Sequence, residues 1–275
     1  MNNMLLRAIT GGIFIGIVIV CVLHSVVALT MLLLVFGALC LWEYFSWYKT
    51  MYAPAYLSVA RLLGLITLGF GLLVLQVPSY LAYWPILFLA FPVLAISSLF
   101  TPSGQFLSLT GKSLVGWFMI VLPLFSIAAL AEISFQTGCF YTMLFFATMW
   151  INDTGAYLSG RAFGKKPLFP RISPKKTWEG LIGGVLLSLV GAFVATYFFN
   201  TNNNALLFNV GFAAVVSLGG TFGDLIESAL KREFGIKDSG KMLPGHGGIL
   251  DRLDGVLLAA PLAFGYYYFC NLLIG

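Results

Sequence analysis

The sequence predicts an all-α integral membrane protein with about nine transmembrane helices, a cytoplasmic N-terminus and a C-terminus outside. Three observations lead to this fold class. Of the 275 residues, 60% are hydrophobic and only 9% are charged, whereas about a quarter of the residues in a soluble domain are charged. Long stretches contain no Asp, Glu, Lys or Arg, and they are continuously apolar rather than alternating, which favours helices over barrel strands in lipid. Basic residues are also distributed asymmetrically.

The charge-free stretches divide into segments of the length that a helix needs to cross the hydrocarbon, roughly 20 residues. The predicted spans are roughly 8–24, 26–43, 62–78, 82–100, 113–131, 137–157, 181–199, 206–224 and 256–274. Turn-forming residues separate neighbouring spans, as at Pro78 and in the asparagine run at 202–204. The first break, near His24, has an alternative in which residues 8–42 form one long helix.

The positive-inside rule gives the orientation. When nine spans are threaded from a cytoplasmic N-terminus, all 15 basic residues fall on the cytoplasmic side. We therefore expect a multi-pass protein of a bacterial cytoplasmic (inner) membrane, with its active site facing the cytoplasm. The bacterial assignment depends on the short segment before the first span, which has no organelle presequence.

Charge also divides the chain into two parts. Residues 151–254 hold 11 of the 15 basic and eight of the ten acidic side chains. Orientation requires basic residues but not carboxylates, so the excess of carboxylates indicates a functional site. We predict N-terminal transmembrane helices at 1–150 and a catalytic transmembrane region at 151–275, with cytoplasmic loops at 158–180 and 225–255.

The first charged segment begins in the sixth predicted span. Asp153 is expected at the end of that span, and an ionisable group at membrane depth is a functional candidate because its burial is costly. The alternative is an interfacial side chain, or one paired with Arg161.

Farther along the same segment, Ser173 and Pro174 predict the N-cap and first residue of a helix. Lys175 and Lys176 would then lie at a helix N-terminus, where they favour a bound anion such as a nucleoside triphosphate. Anchoring of the seventh span explains the two lysines equally well.

Four polar residues share one face of the helix predicted at the cytoplasmic end of the eighth span. Asp224, Glu227, Ser228 and Lys231 are spaced i, i+3, i+4 and i+7. Two carboxylates and a lysine at this position would hold a metal and a phosphate together. The simpler interpretation is an ion pair between Glu227 and Lys231.

A glycine-rich turn precedes the ninth span. Gly245, Gly247 and Gly248 let backbone N–H groups approach a phosphate closely. Asp251 and Asp254 follow, three positions apart, and are predicted on one helical face. Carboxylate oxygens with no cysteine and a single histidine favour a hard cation such as Mg²⁺.

The segment from Ser228 to Asp254 resembles the signature of the phosphatidate cytidylyltransferases (CDP-diacylglycerol synthases). The residues that carry the resemblance are Ser228, Lys231, Arg232, Lys237, Asp238, Gly240, Pro244, His246, Gly247, Gly248, Asp251, Arg252, Leu253 and Asp254. The segment from Asn152 to Gly180 is similar to the family as well, through Asp153, Ala156, Tyr157, Ser173, Pro174, Lys176 and Thr177. The resemblance covers roughly residues 150–260, and the N-terminal half matches only as hydrophobic spans.

The resemblance implies that the chain transfers the cytidylyl group of CTP to phosphatidic acid in phospholipid biosynthesis, giving CDP-diacylglycerol and pyrophosphate. It implies Mg²⁺, with K⁺ as a paired monovalent cation, and a membrane site that lipid enters sideways. The expected partners are CTP, phosphatidic acid and the lipid bilayer, without nucleic acid, and a homodimer is the assembly considered.

The resemblance also implies roles for individual residues. The first candidates for metal ligands are Asp224 and Asp251, and the further candidates are Asp254, Glu227 and Asp153. The catalytic candidates are Asp224, Asp251, Lys231 and Arg252. The substrate-binding candidates are Ser173, Lys175, Lys176, Thr177, Arg232, Lys237, His246, Gly247 and Gly248.

Other functions remain open from the sequence. A CTP-dependent lipid kinase would transfer the γ-phosphate instead. CDP-alcohol phosphotransferases use closely spaced aspartates, but this chain lacks their longer aspartate array. A membrane transporter would carry charges in mid-span and related halves, whereas here the charges cluster near one edge and the halves differ.

Overall fold

The structure is a computed structural model that describes residues 3–49, 54–77, 90–100, 106–135, 139–199, 205–242 and 247–274. These residues are mostly helical. The helices are α1 (Asn3–His24), α2 (Val26–Ser46), α3 (Pro54–Gln76), α4 (Ala90–Leu99), α5 (Phe106–Phe135), α6 (Phe140–Phe163), α7 (Trp178–Phe198), α8 (Leu206–Glu233), α9 (Leu250–Leu253) and α10 (Val256–Ile274). The strands are β1 (Pro167–Phe169) and β2 (Ser173–Thr177).

Six helical segments among the described residues are long and apolar enough to cross a membrane. They are α2, α3, α5, α7, α8 and Leu250–Leu272, while the apolar part of α1, Ile9–His24, is shorter. The prediction of an all-α membrane protein is therefore confirmed. The count of nine spans and the orientation stay predictions, and residues 82–89 of the fourth predicted span lie outside the described ranges.

Helices α1 and α2 are separate, as the spans at 8–24 and 26–43 predict. Helix α1 ends at His24, and extended Ser25 caps α2 by accepting a hydrogen bond of 3.1 Å from the backbone N–H of Ala28. A side-chain acceptor at the N-cap satisfies one of the free N–H groups at the start of a helix. The alternative of one helix over residues 8–42 is thereby excluded.

The two strands form a small antiparallel hairpin that the prediction of an all-helical fold did not include. Pro167 pairs with Thr177, and Phe169 pairs with Ser173. Between them, the side chain of Leu168 is buried in a cluster with Leu181 and Leu225. Burial of this leucine holds the hairpin against α7 and α8.

The hairpin corrects the prediction that Ser173 and Pro174 begin a helix. Helix α7 begins at Trp178, and Thr177 caps it by accepting a hydrogen bond of 3.2 Å from the N–H of Gly180. Threonine is as suitable at an N-cap as in a strand, and the fixed φ of Pro174 is compatible with extended backbone. Local propensity therefore did not distinguish the two starting points.

Asp153 lies within α6, which continues to Phe163, and its place at the end of the sixth span stays a prediction. A further prediction about acidic residues is wrong. Asp251 and Asp254 do not share a helical face, because α9 ends at Leu253 and Asp254 occupies the turn before α10. There its carboxylate accepts a hydrogen bond of 2.6 Å from the N–H of Gly255, a local contact that competes with helix formation.

The chain divides into two compact units. The first unit comprises Met1–Gln136 and Asp238–Arg252, and the second comprises Thr137–Lys237 and Leu253–Gly275. In the first unit, α2, α3 and α5 pack around the buried side chains Leu41, Leu68 and Leu124. In the second, α6 packs on α7, and α8 packs on both α7 and α10. The predicted functional division at residue 150 differs from this structural boundary and stays a prediction.

Candidate active site

A polar cavity of about 450 Å³ lies within the second unit, between α6, β2, the start of α7 and α8. Its polar lining consists of Asn152, Asp153, Tyr157, Arg161, Lys175, Lys176, Thr177, Thr221 and Asp224. Three basic and two acidic side chains therefore meet in one cavity beside apolar helices. Such a lining suits a polyanionic ligand that brings a cation with it.

Glycines allow the helices around this cavity to approach closely. A Cβ atom added at Gly155 of α6 would lie 3.1 Å from the Cα atom of Gly184 in α7, and one at Gly180 would lie 2.9 Å from the carbonyl oxygen of Ala156. Larger residues at these positions would force the two helices apart. The glycines therefore hold β2 and the start of α7 against α6, which positions the lysines of β2 at the cavity wall.

Asp224 is the acidic centre of the cavity. Its Oδ2 atom forms an ion pair of 2.5 Å with Nζ of Lys176, 48 positions earlier in the chain, and its Oδ1 atom accepts a hydrogen bond of 3.2 Å from Ser228. The side chains of Lys176 and Asp224 are 28% and 34% exposed. Because water reaches both groups, this ion pair is able to open when a competing anion or cation arrives.

Glu227 and Lys231 form a second ion pair on the same helix. Their Oε2 and Nζ atoms are 2.5 Å apart, with the Glu227 side chain fully buried and that of Lys231 10% exposed. The simpler sequence interpretation, an i,i+4 ion pair, is therefore confirmed. A buried pair is costly to break because either partner alone would leave an uncompensated charge. The roles of Glu227 with a metal and of Lys231 with phosphate stay predictions.

The turn between α9 and α10 carries a further carboxylate of the second unit, Asp254. Half-buried Asp254 interacts electrostatically with Asp224, Glu227 and Asp153. A Cβ atom at Gly223, beside Asp224, would lie 2.8 Å from the carbonyl oxygens of Asp254 and Gly255. Glycine at position 223 therefore permits the close approach of α8 to this turn. Four predicted metal-ligating residues, Asp153, Asp224, Glu227 and Asp254, therefore belong to the second unit.

Asn152 and Thr221 are polar residues of the cavity that the sequence interpretation did not assign. The Asn152 side chain is buried, and its amide donates a hydrogen bond of 3.3 Å to the hydroxyl of Thr221. This bond links α6 to α8 next to the charged residues. The available signal was an amide in an otherwise apolar span, directly before Asp153.

Asp251 lies in the first unit, where it organises the glycine-rich turn. Its Oδ2 atom accepts hydrogen bonds of 2.8 Å from the N–H groups of Ser239 and Gly248, and one of 3.0 Å from the Ser239 hydroxyl. Gly247 has a φ of +83°, and a Cβ atom there would lie 2.6 Å from the same carboxylate oxygen. Glycine at this position is therefore required by both conformation and space. The backbone N–H of Gly248, which the sequence predicts to bind phosphate, here donates its hydrogen bond to Asp251.

Glu43 of α2 holds the same turn from the other side, and the sequence interpretation did not assign it either. Only 3% of Glu43 is exposed. Its carboxylate accepts hydrogen bonds of 3.0 Å from the N–H groups of Ile249 and Leu250 and one of 2.9 Å from the Ser239 hydroxyl. The sequence does contain a signal for Glu43, because it is one of only two carboxylates in residues 1–150 and lies in an apolar span. The N-terminal half therefore supports part of the signature segment directly.

The other predicted site residues have varied positions. Ser173 begins β2, and Thr177 caps α7. The guanidinium of Arg232 donates a hydrogen bond of 3.1 Å to the carbonyl oxygen of Ile236. Lys237 and Arg252 are exposed. His246 lies outside the described residues.

The arrangement and chemistry of these side chains determine which metal ion they fit. Within the described ranges, no three His, Cys, Asp or Glu side chains are arranged to bind one metal ion. Mg²⁺ in nucleotide sites is commonly bound by one or two carboxylates together with substrate phosphates and water. Asp153 and Asp224, the two carboxylates of the cavity lining, are donors of that kind, so the cavity fits a hard cation that arrives with a phosphorylated ligand. Asp251 belongs to the other unit, and its sharing of an ion with Asp224 stays a prediction.

Comparison with known proteins agrees with the chemistry of this cavity. Residues 5–270 match the model of the cytidylyltransferase family. A phosphatidate cytidylyltransferase of Staphylococcus aureus is 39% identical over 207 residues, which cover 72% of this chain and 76% of that protein. The phosphatidate cytidylyltransferase of Haemophilus influenzae is 46% identical over 136 residues, covering 48% of this chain and 46% of its own. The chain therefore belongs to the cytidylyltransferase family.

Proposed function

We propose that this chain transfers the cytidylyl group of CTP to phosphatidic acid, giving CDP-diacylglycerol and pyrophosphate. The match to the cytidylyltransferase family over residues 5–270 carries this conclusion. The cavity of the second unit supports it, because Arg161, Lys175 and Lys176 provide positive charge for a triphosphate next to Asp224. The apolar helices explain how the enzyme meets a substrate whose acyl chains remain in the bilayer.

The reaction needs little covalent help from the protein. The phosphate of phosphatidic acid is a monoester with a second pKa of about 6, so its oxygen is already anionic near neutral pH. That oxygen forms a bond to the α-phosphorus of CTP while the bond from this phosphorus to the bridging oxygen breaks. Pyrophosphate leaves with the electron pair. Catalysis therefore consists mainly of positioning the two anions and neutralising their charge.

Lys176 and Asp224 have the central roles in this proposal. In the free enzyme Asp224 holds the ammonium group of Lys176 at the cavity wall. A phosphate of CTP would bind that ammonium group and leave the Asp224 carboxylate available for a cation. Lys175 and Arg161 line the same cavity and add charge for the rest of the triphosphate. Arg252 is a further proposed contact of the CTP phosphates, and Lys231 and Arg232 are the proposed contacts of the lipid phosphate or pyrophosphate.

Mg²⁺ is the cation that the oxygen donors fit. The proposed ligands are Asp224 and Asp251, with Asp254, Glu227 and Asp153 as further candidates. The ion, when bound, would neutralise charge on the phosphates of both substrates. The electrostatic interaction of Asp254 with three other carboxylates supports a cation in this region. A paired K⁺ and a homodimer are further parts of the proposal.

The membrane arrangement proposed for the enzyme has nine spans, with the N-terminus in the cytoplasm and the C-terminus outside. The distribution of the 15 basic residues supports this orientation. It would place the candidate active site at the cytoplasmic face of a bacterial inner membrane, where CTP is available. Reporter fusions at the C-terminus test the orientation, since a cytoplasmic C-terminus would contradict the odd number of spans.

Labelled CTP tests the proposed reaction directly. The purified chain is incubated with phosphatidic acid, Mg²⁺ and CTP labelled at either the α- or the γ-phosphate, and the lipid is extracted. Cytidylyl transfer places only the α-label in lipid. A lipid kinase would place only the γ-label there, and a transporter would leave the nucleotide intact. Absence of the α-label from lipid at every tested concentration of both substrates would overturn the proposal.

A further inference from the structure

A second cavity, of about 330 Å³, lies in the first unit where α2 ends and α3 begins. We call it the α2–α3 cavity. Its lining consists of Trp42, Ser46, Lys49, Pro54, Leu57, Ser58 and Arg61. None of these residues lines the cavity of the second unit, and none belongs to the segments that resemble the enzyme signature. The α2–α3 cavity therefore needs an explanation of its own.

Two cations line the α2–α3 cavity, and neither has a counter-ion among the described residues. The guanidinium carbon of Arg61 lies 4.4 Å from the centroid of the Trp42 ring, and the buried Nε atom of Arg61 makes no hydrogen bond within the described ranges. In the part of the chain that the structure describes, the salt bridges are Lys176–Asp224 and Lys231–Glu227, so neither Arg61 nor Lys49 is paired with a carboxylate. The charge of both side chains is left for a ligand.

The burial of Arg61 strengthens this argument. Arg61 is the eighth residue of α3, one of the helices long and apolar enough to span a membrane. A guanidinium with a buried Nε atom is unfavourable unless an anion or water compensates its charge. The stacked ring of Trp42 offsets part of that cost but carries no negative charge.

The surroundings of the α2–α3 cavity indicate where the anion comes from. Large apolar side chains that follow Arg61 on α3 are exposed, Leu62 by 58% and Ile66 by 53%. On spanning helices such side chains contact lipid tails. A ligand with a phosphate and long apolar chains would therefore bind the cations and the neighbouring helix surface at once, whereas a soluble anion would use only the cations.

We propose that the α2–α3 cavity binds the phosphate of an anionic phospholipid, with its acyl chains lying along α2 and α3. Arg61 forms a forked pair with the phosphate, since guanidinium matches two phosphate oxygens. Lys49 adds the second positive charge from the exposed rim. Trp42 lies at the headgroup level, where tryptophan is enriched in membrane proteins. The phospholipid proposed here is bound in addition to the phosphatidic acid that reacts.

Native mass spectrometry of the full-length chain in neutral detergent tests this site. The probes are dioleoyl phosphatidylglycerol, which is anionic, and dioleoyl phosphatidylcholine, whose choline cation offsets its phosphate. Phosphatidylglycerol lacks the terminal phosphate monoester that the proposed reaction uses, so its binding is measured apart from turnover. Arg61→Gln is expected to weaken phosphatidylglycerol binding about fivefold, the effect of one basic residue at an anionic lipid surface.

Matched variants make the result decisive. Lys112→Gln removes one positive charge from the same unit without touching the α2–α3 cavity, and binding should stay unchanged. Lys49→Gln changes only an exposed side chain, so it keeps the test available if Arg61→Gln fails to fold. Equal binding of the two lipids by the unaltered chain, or equal losses in Lys49→Gln and Lys112→Gln, would overturn the proposal. Displacement of phosphatidylglycerol by excess inorganic phosphate would assign the site to a soluble anion instead.

Discussion

The buried carboxylate of Glu43 accepts a hydrogen bond of 2.9 Å from the hydroxyl of Ser239, 196 positions later in the chain. The same carboxylate accepts the N–H groups of Ile249 and Leu250. The contact ties α2 to the turn that carries Asp251. Helix α2, which in the sequence is only a hydrophobic span, therefore supports the segment with the strongest family resemblance.

Glu43→Ala is expected to lower the free energy of unfolding by about 2–4 kcal/mol, because the buried N–H groups of Ile249 and Leu250 lose their acceptor. Glu43→Gln should cost less, since its carbonyl oxygen still accepts a hydrogen bond. Thermal unfolding in detergent gives the comparison. Glu132→Ala, which removes the other, exposed carboxylate of residues 1–150, is the control and should change stability little. Equal effects of Glu43→Ala and Glu132→Ala would show that the buried contacts contribute nothing.

Gly247→Ala should destabilise the chain more than Gly235→Ala. Both glycines have positive φ, +83° and +65°, so alanine at either position costs about 1–2 kcal/mol of backbone strain. Only at Gly247 would the new Cβ atom meet another group, the Asp251 carboxylate at 2.6 Å, whereas nothing lies within 4 Å at Gly235. Melting temperatures of the two variants isolate the clash, and identical shifts would contradict it.

Lys176→Ala should lower kcat/KM for CTP about 10- to 100-fold, the effect of losing one charge-assisted hydrogen bond. The apparent KM for phosphatidic acid should change much less. Steady-state assays at varied CTP and fixed lipid measure this. Lys166→Ala is the control, because this exposed lysine does not line the cavity. A larger effect on the lipid KM than on the CTP KM would move Lys176 to the lipid side of the site.

Asp224→Asn should lower kcat about 100-fold or more, since an amide neither neutralises Lys176 nor binds a hard cation well. Raising the Mg²⁺ concentration should restore only part of the activity. Glu233→Gln removes an exposed carboxylate at the end of the same helix and should keep near-normal turnover. Full activity of Asp224→Asn at the usual Mg²⁺ concentration would remove Asp224 from the catalytic machinery.

Asp251→Asn separates the structural role of this residue from its proposed role with the metal. The carbonyl oxygen of asparagine still accepts the N–H groups of Ser239 and Gly248, so stability should fall by no more than about 1 kcal/mol. Turnover in defined lipid with saturating Mg²⁺ should nevertheless fall sharply, because the carboxylate charge is lost. Near-normal turnover would leave Asp251 as a residue of the turn alone.

Helical periodicity predicted part of the candidate site correctly. The spacing predicts that Asp224, Glu227, Ser228 and Lys231 share one face of a helix. On α8, Ser228 donates a hydrogen bond to Asp224, and Lys231 forms an ion pair with Glu227. The same reasoning failed for Asp254, because a local hydrogen bond to the next N–H interrupts the helix. The N-cap prediction at Ser173 failed for a different reason, because a buried leucine in the preceding strand favours the hairpin.

The sequence by itself determined that this is a helical membrane protein of the cytidylyltransferase family, because long, continuously apolar stretches form helices in hydrocarbon and because many signature residues lie within one segment, 228–254. Tertiary structure alone decided that Lys176 contacts Asp224 and that Glu43 supports Ser239. These partners are 48 and 196 positions apart, and no local pattern encodes which helices pack together. Glycines permit close packing beside both contacts, Gly155 between α6 and α7 and Gly248 next to Glu43 and Ser239.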